Sequence, residues 1–286
     1  MHNKEKIRLV DCPRDAIQGI HTFIPTYKKI EHINNLINSD LFDYVDFGSF
    51  VSPKVVPQLR DTEEVLESII DKRNTELIAI IANEKGVEIG SKYAKIDYLG
   101  YPFSISDTFQ KRNTNRSIDG AFETVRNCQD ILSGKTHTKL MIYISMAFGN
   151  PYGDDWHPDM VTSWIEKLIG EGVSKFSLAD TTSEATVKQI ELVFNSVKKS
   201  FPTIELSIHL HSRIDNAANK IEAAYMSGCR IFEGALMGYG GCPFAKDDLV
   251  GNIPTELLLE RYKQPEELSI VPDLLKSFQK LISNDV

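Results

Sequence analysis

Two histidines separated by a single residue, His209 and His211, are the sequence's clearest candidates for chemistry. They close residues 205–211, Glu-Leu-Ser-Ile-His-Leu-His, in which polar and apolar residues alternate. Such alternation predicts a β-strand whose successive side chains point to opposite faces, so both imidazoles share one face. Two imidazoles in that arrangement can bind one divalent cation. A hydrogen-bonded histidine pair without a metal is the alternative.

Charged side chains follow other predicted strands. After the first strand, Pro13 stiffens a turn that places the guanidinium of Arg14 beside the carboxylate of Asp15, with Gln18 nearby. Parallel barrel strands present their C-terminal ends at one face, where catalytic residues collect. We therefore expect a shared site; an exposed loop ion pair is the alternative for Arg14 and Asp15. Further candidates at strand ends are Asp46, Asp180 and Thr181.

A glycine-rich segment, residues 238–245, contains Cys242 directly before a proline. This pattern predicts a mobile loop that carries one fixed thiol, and a plain turn around a buried cysteine is the alternative. The other three cysteines, Cys12, Cys128 and Cys229, fall in or beside predicted strands and a helix, where a cysteine is usually a small buried residue. Because no Cys-x-x-Cys is present, we expect free thiols rather than a zinc ribbon.

Strand-like segments alternate with amphipathic helical segments along the chain, which predicts an α/β fold. Repeated βα units with right-handed crossovers favour a (β/α)8 TIM barrel over an open doubly wound sheet, since no Gly-x-Gly-x-x-Gly follows the first strand. Two further helices, at 256–262 and 272–282, are expected to pack on the barrel, so that residues 1–286 form one domain. The strands are predicted at 7–12, 44–47, 77–81, 96–101, 140–146, 175–180, 205–211 and 230–234.

The composition is that of an ordinary globular protein. The chain has 286 residues, of which 42% are hydrophobic and 25% are charged. A formal net charge of -8 disfavours nucleic acid as a partner. With no apolar stretch of about 18 residues and no secretory signal, we expect no membrane association and a cytoplasmic location.

Four short motifs together identify a family. They are Arg14-Asp15 with Gln18, Ser-Phe-Val-Ser-Pro-Lys at 49–54, His209-x-His211, and Gly-Gly-Cys-Pro at 240–243 followed by Asn252. In these motifs, and over roughly residues 7–262, the chain resembles the 3-hydroxy-3-methylglutaryl-CoA lyase family. That family belongs to the metal-dependent lyase and synthase barrels that share a pyruvate-carboxyltransferase-type domain.

The resemblance implies a function for each matching residue. It implies that Arg14 and Cys242 are catalytic, that Asp180 is a site aspartate, and that Asp46 stands where the family has a glutamate. Asp15 and His209 are candidates both for catalysis and for metal binding, and Gln18 and Thr181 for substrate binding. The implied ligands of a divalent cation, Mg²⁺ or Mn²⁺, are Asp15, His209, His211 and Asn252.

The implied reaction is cleavage of a 3-hydroxyacyl-CoA thioester, 3-hydroxy-3-methylglutaryl-CoA or a close analogue, to acetyl-CoA and acetoacetate or another 3-keto acid, as in leucine breakdown. A basic cluster after the fourth strand is expected to bind the CoA phosphates; its members are Lys111, Arg112 and Arg116. A homodimer is one option that the sequence leaves open.

Several residues depart from the family pattern. Ser212 and Arg213 replace an Asp-Thr pair after the histidines, and with Gly19 and Ile20 a glutamate near the site is lost. These departures keep two alternatives open. One is a related aldol-type lyase or a Claisen-type synthase, and the other is a catalytically weak binding homologue.

Overall fold

The computed structural model describes residues 6–240 and 251–283. Eight parallel strands close into a barrel in chain order, with the last strand paired to the first, which confirms the predicted (β/α)8 fold. The barrel strands end within three residues of their predicted positions. They are β1 Arg8–Asp11, β2 Tyr44–Ser49, β3 Glu76–Ile80, β4 Tyr98–Ser104, β5 Lys139–Ser145, β6 Lys175–Ala179, β7 Glu205–His209 and β9 Ile231–Gly234; the short strands β8 His211–Ser212 and β10 Gly251–Asn252 lie outside the barrel.

Helices lie between the strands and follow the last one. Those of the described residues are α1 Pro13–Ile17, α2 Thr26–Asn38, α3 Thr62–Glu67, α4 Glu84–Gly90, α5 Asp107–Thr114, α6 Ile118–Leu132, α7 Pro158–Gly170, α8 Val187–Ser200, α9 Ile214–Met226, α10 Thr255–Tyr262 and α11 Val271–Ile282. Because helices cover the barrel, its strands are buried on both faces, and β2 is buried at every position. Within the described part of the chain, no helix has the length and apolar character needed to cross a membrane.

The N-terminal end of the barrel is closed by charged and aromatic side chains. The Lys175 ammonium lies 3.7 Å from the ring centre of Tyr44 and 4.0 Å from that of Tyr98. Lys175 also forms an ion pair with Glu205, to which Arg8 donates a hydrogen bond of 2.8 Å. Because these side chains fill this end, we expect a binding site at the C-terminal end of the strands.

The prediction of one strand over 205–211 is wrong at its C-terminal end. β7 ends at His209, and His211 instead forms the antiparallel strand β8 with β10, in which His211 is paired with Asn252. The pairing of β7 with the described strands β6 and β9 ends at His209. The next residue, Leu210, instead accepts a hydrogen bond at its carbonyl from the backbone N–H of Ile253, which follows β10. The two histidines still lie on one side, with ring centres 5.1 Å apart.

A C-terminal helix packs beside the barrel. Helix α11 contacts α2 through the rings of Phe278 and His32, whose centres are 5.4 Å apart, and the hydroxyl of Ser277 lies 2.9 Å from His32 Nδ1. The assignment of the whole chain to one domain stays a prediction.

Candidate active site

A cavity of about 510 Å³ opens at the C-terminal end of the barrel. Its polar lining includes six of the residues proposed from the sequence, and much of the remainder is apolar, with contributions from Ile20, Phe23, Val51 and Val56. A mostly apolar cavity with a few convergent polar groups is the usual form of a small-molecule site. The six residues are Arg14, Asp15, Gln18, Thr181, His209 and His211.

Helix α1 holds Arg14 and Asp15 in place. It begins at Pro13, whose fixed φ suits the first turn of a helix, and both charged residues are buried. The guanidinium of Arg14 donates to Asp46 Oδ2 from Nη2 at 2.6 Å and from Nε at 3.0 Å. Its Nη1 donates to Gln18 at 2.9 Å and to Asp15 at 3.2 Å. This buried network excludes the exposed ion pair that the sequence left open.

The acidic residues around Arg14 differ in their affinity for a proton. Burial raises the pKa of Asp46 to about 6, although Arg14 opposes the change. Burial would also raise the pKa of Asp15, but the charge of Arg14 and of the two nearby histidines outweighs it and lowers the pKa to about 2. Asp15 is therefore an anion at neutral pH, as a metal ligand must be.

The two histidines are oriented by hydrogen bonds at Nδ1. His209 Nδ1 lies 3.2 Å from Glu233 Oε2, and His211 Nδ1 lies 3.0 Å from the carbonyl oxygen of Thr181. Both partners are acceptors, because His209 and the hydrogen bonds around Glu233 hold the pKa of that carboxyl below its usual value despite its burial. Each Nδ1 therefore donates, which leaves both Nε2 atoms to face each other at 3.3 Å.

Two facing nitrogen lone pairs repel unless a proton or a cation lies near both. Burial would lower the pKa of His209, yet Glu233 raises it; burial and the charge of His209 lower the pKa of His211. Without a cation, a proton on one Nε2 can be shared with the other, which is the hydrogen-bonded pair considered from the sequence. A divalent cation can replace that proton.

Asn252 brings an amide group to this cluster. Its Nδ2 donates to Asp15 Oδ2 at 2.7 Å and to the carbonyl oxygen of Tyr239 at 2.9 Å. The amide oxygen is buried and receives no hydrogen bond from residues 6–240 or 251–283. Ligand atoms of Asp15, His209 and His211 all lie within 4.8 Å of one another. One carboxylate, two imidazoles and one amide oxygen fit a divalent cation.

Asp180 does not line the cavity. Its Oδ1 accepts from the backbone N–H of Ala185 at 2.9 Å, and its Oδ2 accepts from Lys220 at 2.8 Å. The neighbouring Thr181 does reach the cavity, and its hydroxyl accepts from the backbone N–H of Met146 at 3.0 Å. The structure thus separates two residues that the sequence placed in one site.

The basic cluster lies outside the cavity as well. Lys111 pairs with Asp107, the Arg112 guanidinium lies 4.7 Å from the ring centre of Tyr152, and Arg116 donates to the hydroxyl of Thr124 at 2.6 Å. The next residues of helix α5, Asn113 and Thr114, line the cavity instead. Cys242 lies outside the described residues, so its predicted role stays a prediction.

Sequence reasoning missed Glu233 and Lys220. Glu233 is a buried carboxylate on β9 that accepts from the hydroxyls of Ser177 and Ser207, each at 2.6 Å, as well as from His209. An acidic residue inside the otherwise apolar run Ile-Phe-Glu-Gly at 231–234 was an available signal. For Lys220 the signal was a lysine in the apolar stripe of α9.

A closed parallel barrel with an Asp, His and Asn cluster at the C-terminal ends of its strands defines a TIM-barrel enzyme. The HMGL-like family model matches residues 6–267, and the chain belongs to this family. Cytoplasmic 3-hydroxy-3-methylglutaryl-CoA lyase of Mus musculus is 32% identical over 260 residues, 89% of this chain and 74% of the mouse protein. These matches confirm the resemblance found in the sequence.

Solved structures of HMG-CoA lyases are also similar to this chain. The HMG-CoA lyase of Bacillus subtilis superposes with a TM-score of 0.87 at 28% identity, covering 98% of this chain and 96% of that one. An HMG-CoA lyase from Acinetobacter baumannii, in complex with coenzyme A and 3-methylmalate, has a TM-score of 0.82 at 31% identity, with coverages of 95% and 92%.

Proposed function

We propose that this protein is a lyase that cleaves 3-hydroxy-3-methylglutaryl-CoA to acetyl-CoA and acetoacetate with the help of a bound divalent cation. The observation that carries the proposal is the cluster of Asp15, His209 and His211 at the cavity, with both Nε2 atoms facing each other at 3.3 Å. Membership of the HMGL-like family and the likeness to lyases of that name support the reaction.

The reaction breaks the bond between C2 and C3 of the acyl group. The C3 hydroxyl loses its proton and becomes the keto group, while the bonding electrons move into the thioester as an enolate, which is then protonated at C2. A divalent cation held by Asp15, His209, His211 and Asn252 would act as a Lewis acid that acidifies the C3 hydroxyl. The ligand set favours Mg²⁺ or Mn²⁺.

Arg14 supplies permanent positive charge for the enolate oxygen. It lies in the cavity and is held by three acceptors, Asp46, Gln18 and Asp15, so it needs little reorganisation when the enolate forms. In this proposal Asp46 positions Arg14. Gln18 and Thr181 contact the substrate, since both line the cavity.

Two proton transfers remain. A carboxylate of the cluster takes the hydroxyl proton. His209 acts as a ligand rather than as the base, because its Nδ1 donates to Glu233 and its Nε2 would hold the cation. Cys242, by resemblance, delivers the proton to the enolate carbon. Asp180 acts from behind the cavity wall through its neighbours.

The CoA part of the substrate extends out of the cavity past α5. Lys111 and Arg112 on that helix are the proposed partners of its phosphates, because Asn113 and Thr114 of the same helix line the cavity. A place in leucine breakdown follows from the resemblance. It stays a prediction, as does the cytoplasmic location expected from the sequence.

A single assay tests the proposed function. Acetyl-CoA release from 3-hydroxy-3-methylglutaryl-CoA is measured after chelation and again after addition of Mn²⁺, with wild-type protein and with His211→Ala. We expect turnover by the wild type only when the cation is restored, and loss of both turnover and tight Mn²⁺ binding in the variant. Tight Mn²⁺ binding without turnover favours the binding homologue suggested by Ser212 and Arg213. Full turnover after chelation contradicts the role of the metal.

A further inference from the structure

A buried lysine, Lys220, lies behind the candidate metal site. It belongs to helix α9, where Ala217, Ile221 and Ala224 form the buried stripe and Lys220 is itself 3% exposed. Burial of an unpaired ammonium group is strongly unfavourable, so a lysine in this stripe requires a set of acceptors.

The acceptors of Lys220 are parts of the candidate site. Its Nζ donates to Asp180 Oδ2 at 2.8 Å, to the carbonyl oxygen of His211 at 2.7 Å and to the hydroxyl of Ser183 at 3.2 Å. Ser183 in turn donates to the same His211 carbonyl at 3.1 Å, and its φ of 61° lies in the left-handed region, which few residues other than glycine adopt. The ammonium group therefore makes all three of the hydrogen bonds that it can make.

These contacts form a hydrogen-bond network around His211, one of the candidate metal ligands. Lys220 holds the backbone carbonyl of His211 and the carboxylate of Asp180. Asp180 is also fixed to the backbone N–H of Ala185, and the next residue, Thr181, accepts the hydrogen bond from His211 Nδ1. The lysine thus restrains both the backbone of His211 and the loop that orients its ring.

We propose that Lys220 is a positioning residue for the metal site, which holds His211 Nε2 toward Asp15 and His209. The inference rests on the proposed divalent cation site. Lys220 touches neither the cavity nor the other candidate ligands, and it acts through His211 and Asp180. Changes behind metal ligands typically weaken metal binding by about tenfold to a hundredfold, and we expect a loss of that size here.

The test variant is the double substitution Lys220→Met with Asp180→Asn. It removes the ion pair without leaving an unpaired buried charge or altering the net charge near the cation, and the amide oxygen of the new side chain can still accept from the backbone N–H of Ala185. Lys175→Met is the matched control, because Lys175 is an equally buried lysine paired to a glutamate at the closed end of the barrel. Mn²⁺ dissociation constants are measured by calorimetry, and thermal unfolding is measured without metal.

We expect the double variant to bind Mn²⁺ about tenfold to a hundredfold more weakly than the wild type. The Lys175→Met control should lose thermal stability yet bind Mn²⁺ as the wild type does. Wild-type affinity in the folded double variant overturns the inference and leaves the proposed function intact. Failure of the wild type to bind Mn²⁺ overturns both. If the double variant does not fold, Lys220→Gln replaces it, since its shorter amide can donate to Asp180 but cannot also span to the His211 carbonyl.

Discussion

Replacement of Glu233 by glutamine tests the candidate metal site at its most sharply defined hydrogen bond. Glu233 Oε1 accepts from the hydroxyls of Ser177 and Ser207, and Oε2 accepts from His209 Nδ1. Glutamine has nearly the same shape but carries two donor hydrogens on one end. If its NH₂ takes the Oε2 position, it meets the N–H of His209, and the imidazole must then move its proton to Nε2.

A histidine that is protonated on Nε2 cannot bind a cation through that atom. If the amide turns the other way, its NH₂ meets two hydroxyls that now donate, so both must turn. In either arrangement His209 binds the cation more weakly. We expect the Mn²⁺ dissociation constant to rise by about tenfold to a hundredfold, which corresponds to a loss of about 1.4 to 2.7 kcal/mol of binding free energy. At a Mn²⁺ concentration 100 times the wild-type constant, the cation stabilises the wild type by about 2.7 kcal/mol. After a hundredfold loss it stabilises the variant by only about 0.4 kcal/mol.

Thermal and urea unfolding with and without Mn²⁺ measure this difference, and calorimetry measures the dissociation constant directly. Glu205→Gln is the matched control, because Glu205 is a carboxylate at the closed end of the barrel, far along β7 from His209. The control should respond to Mn²⁺ as the wild type does. An unchanged Mn²⁺ response in Glu233→Gln would refute the assignment of His209 as a ligand oriented by Glu233.

Two further predictions concern Asp11 and Cys242. Burial raises the pKa of Asp11 from 3.8 to about 7. Between these two pH values the folded protein keeps a proton on Asp11 that the unfolded chain has released. The free energy of unfolding therefore falls as the pH rises from about 4 to about 7. Asp11→Asn keeps an acceptor for the hydroxyl of Thr255. In urea unfolding, the free energy of unfolding of this variant should increase relative to that of the wild type by up to about 4 kcal/mol between pH 4 and pH 8. A difference between the two proteins that does not change with pH contradicts the pKa shift. Cys242→Ser should lose most turnover and keep Mn²⁺ binding. In the wild type, iodoacetamide should label Cys242 before Cys128 and Cys229, because burial raises the pKa of each of those two thiols to about 12. Preferential labelling of Cys128, or wild-type turnover in the serine variant, removes Cys242 from the mechanism.

Local patterns were enough to predict the barrel and much of the cavity lining. Alternation and helical periodicity depend on neighbours in sequence, and the rule that parallel strands carry their sites at C-terminal ends brought Arg14, Asp15 and His209 together correctly. The same reasoning placed Asp180 in the cavity, since it directly follows β6. Only the tertiary structure shows that its carboxylate turns toward Lys220, forty positions later in the chain.

The path of His211 could not be read from the sequence for a related reason. Alternation continues through residues 205–211, but pairing depends on which backbone lies alongside. For His211 that partner is Asn252, which approaches from a segment that has no strand-like pattern of its own. Glu233 was missed because its role depends on contacts between strands. From β9 its carboxylate accepts hydrogen bonds from Ser177 on β6 and from Ser207 and His209 on β7.

The hydrogen bond from Asn252 to Asp15 joins residues 237 positions apart, and that from Thr255 to Asp11 joins residues 244 positions apart. We expect pairs of such sequence separation to form late in folding, because closing so long a loop early loses entropy before other native interactions can offset the loss. During synthesis, when N-terminal segments emerge first, a chain without residue 252 has Asp15 but lacks the amide that completes the cluster. A cation bound by the full cluster would therefore add nothing to early folding steps and would instead slow unfolding of the finished barrel.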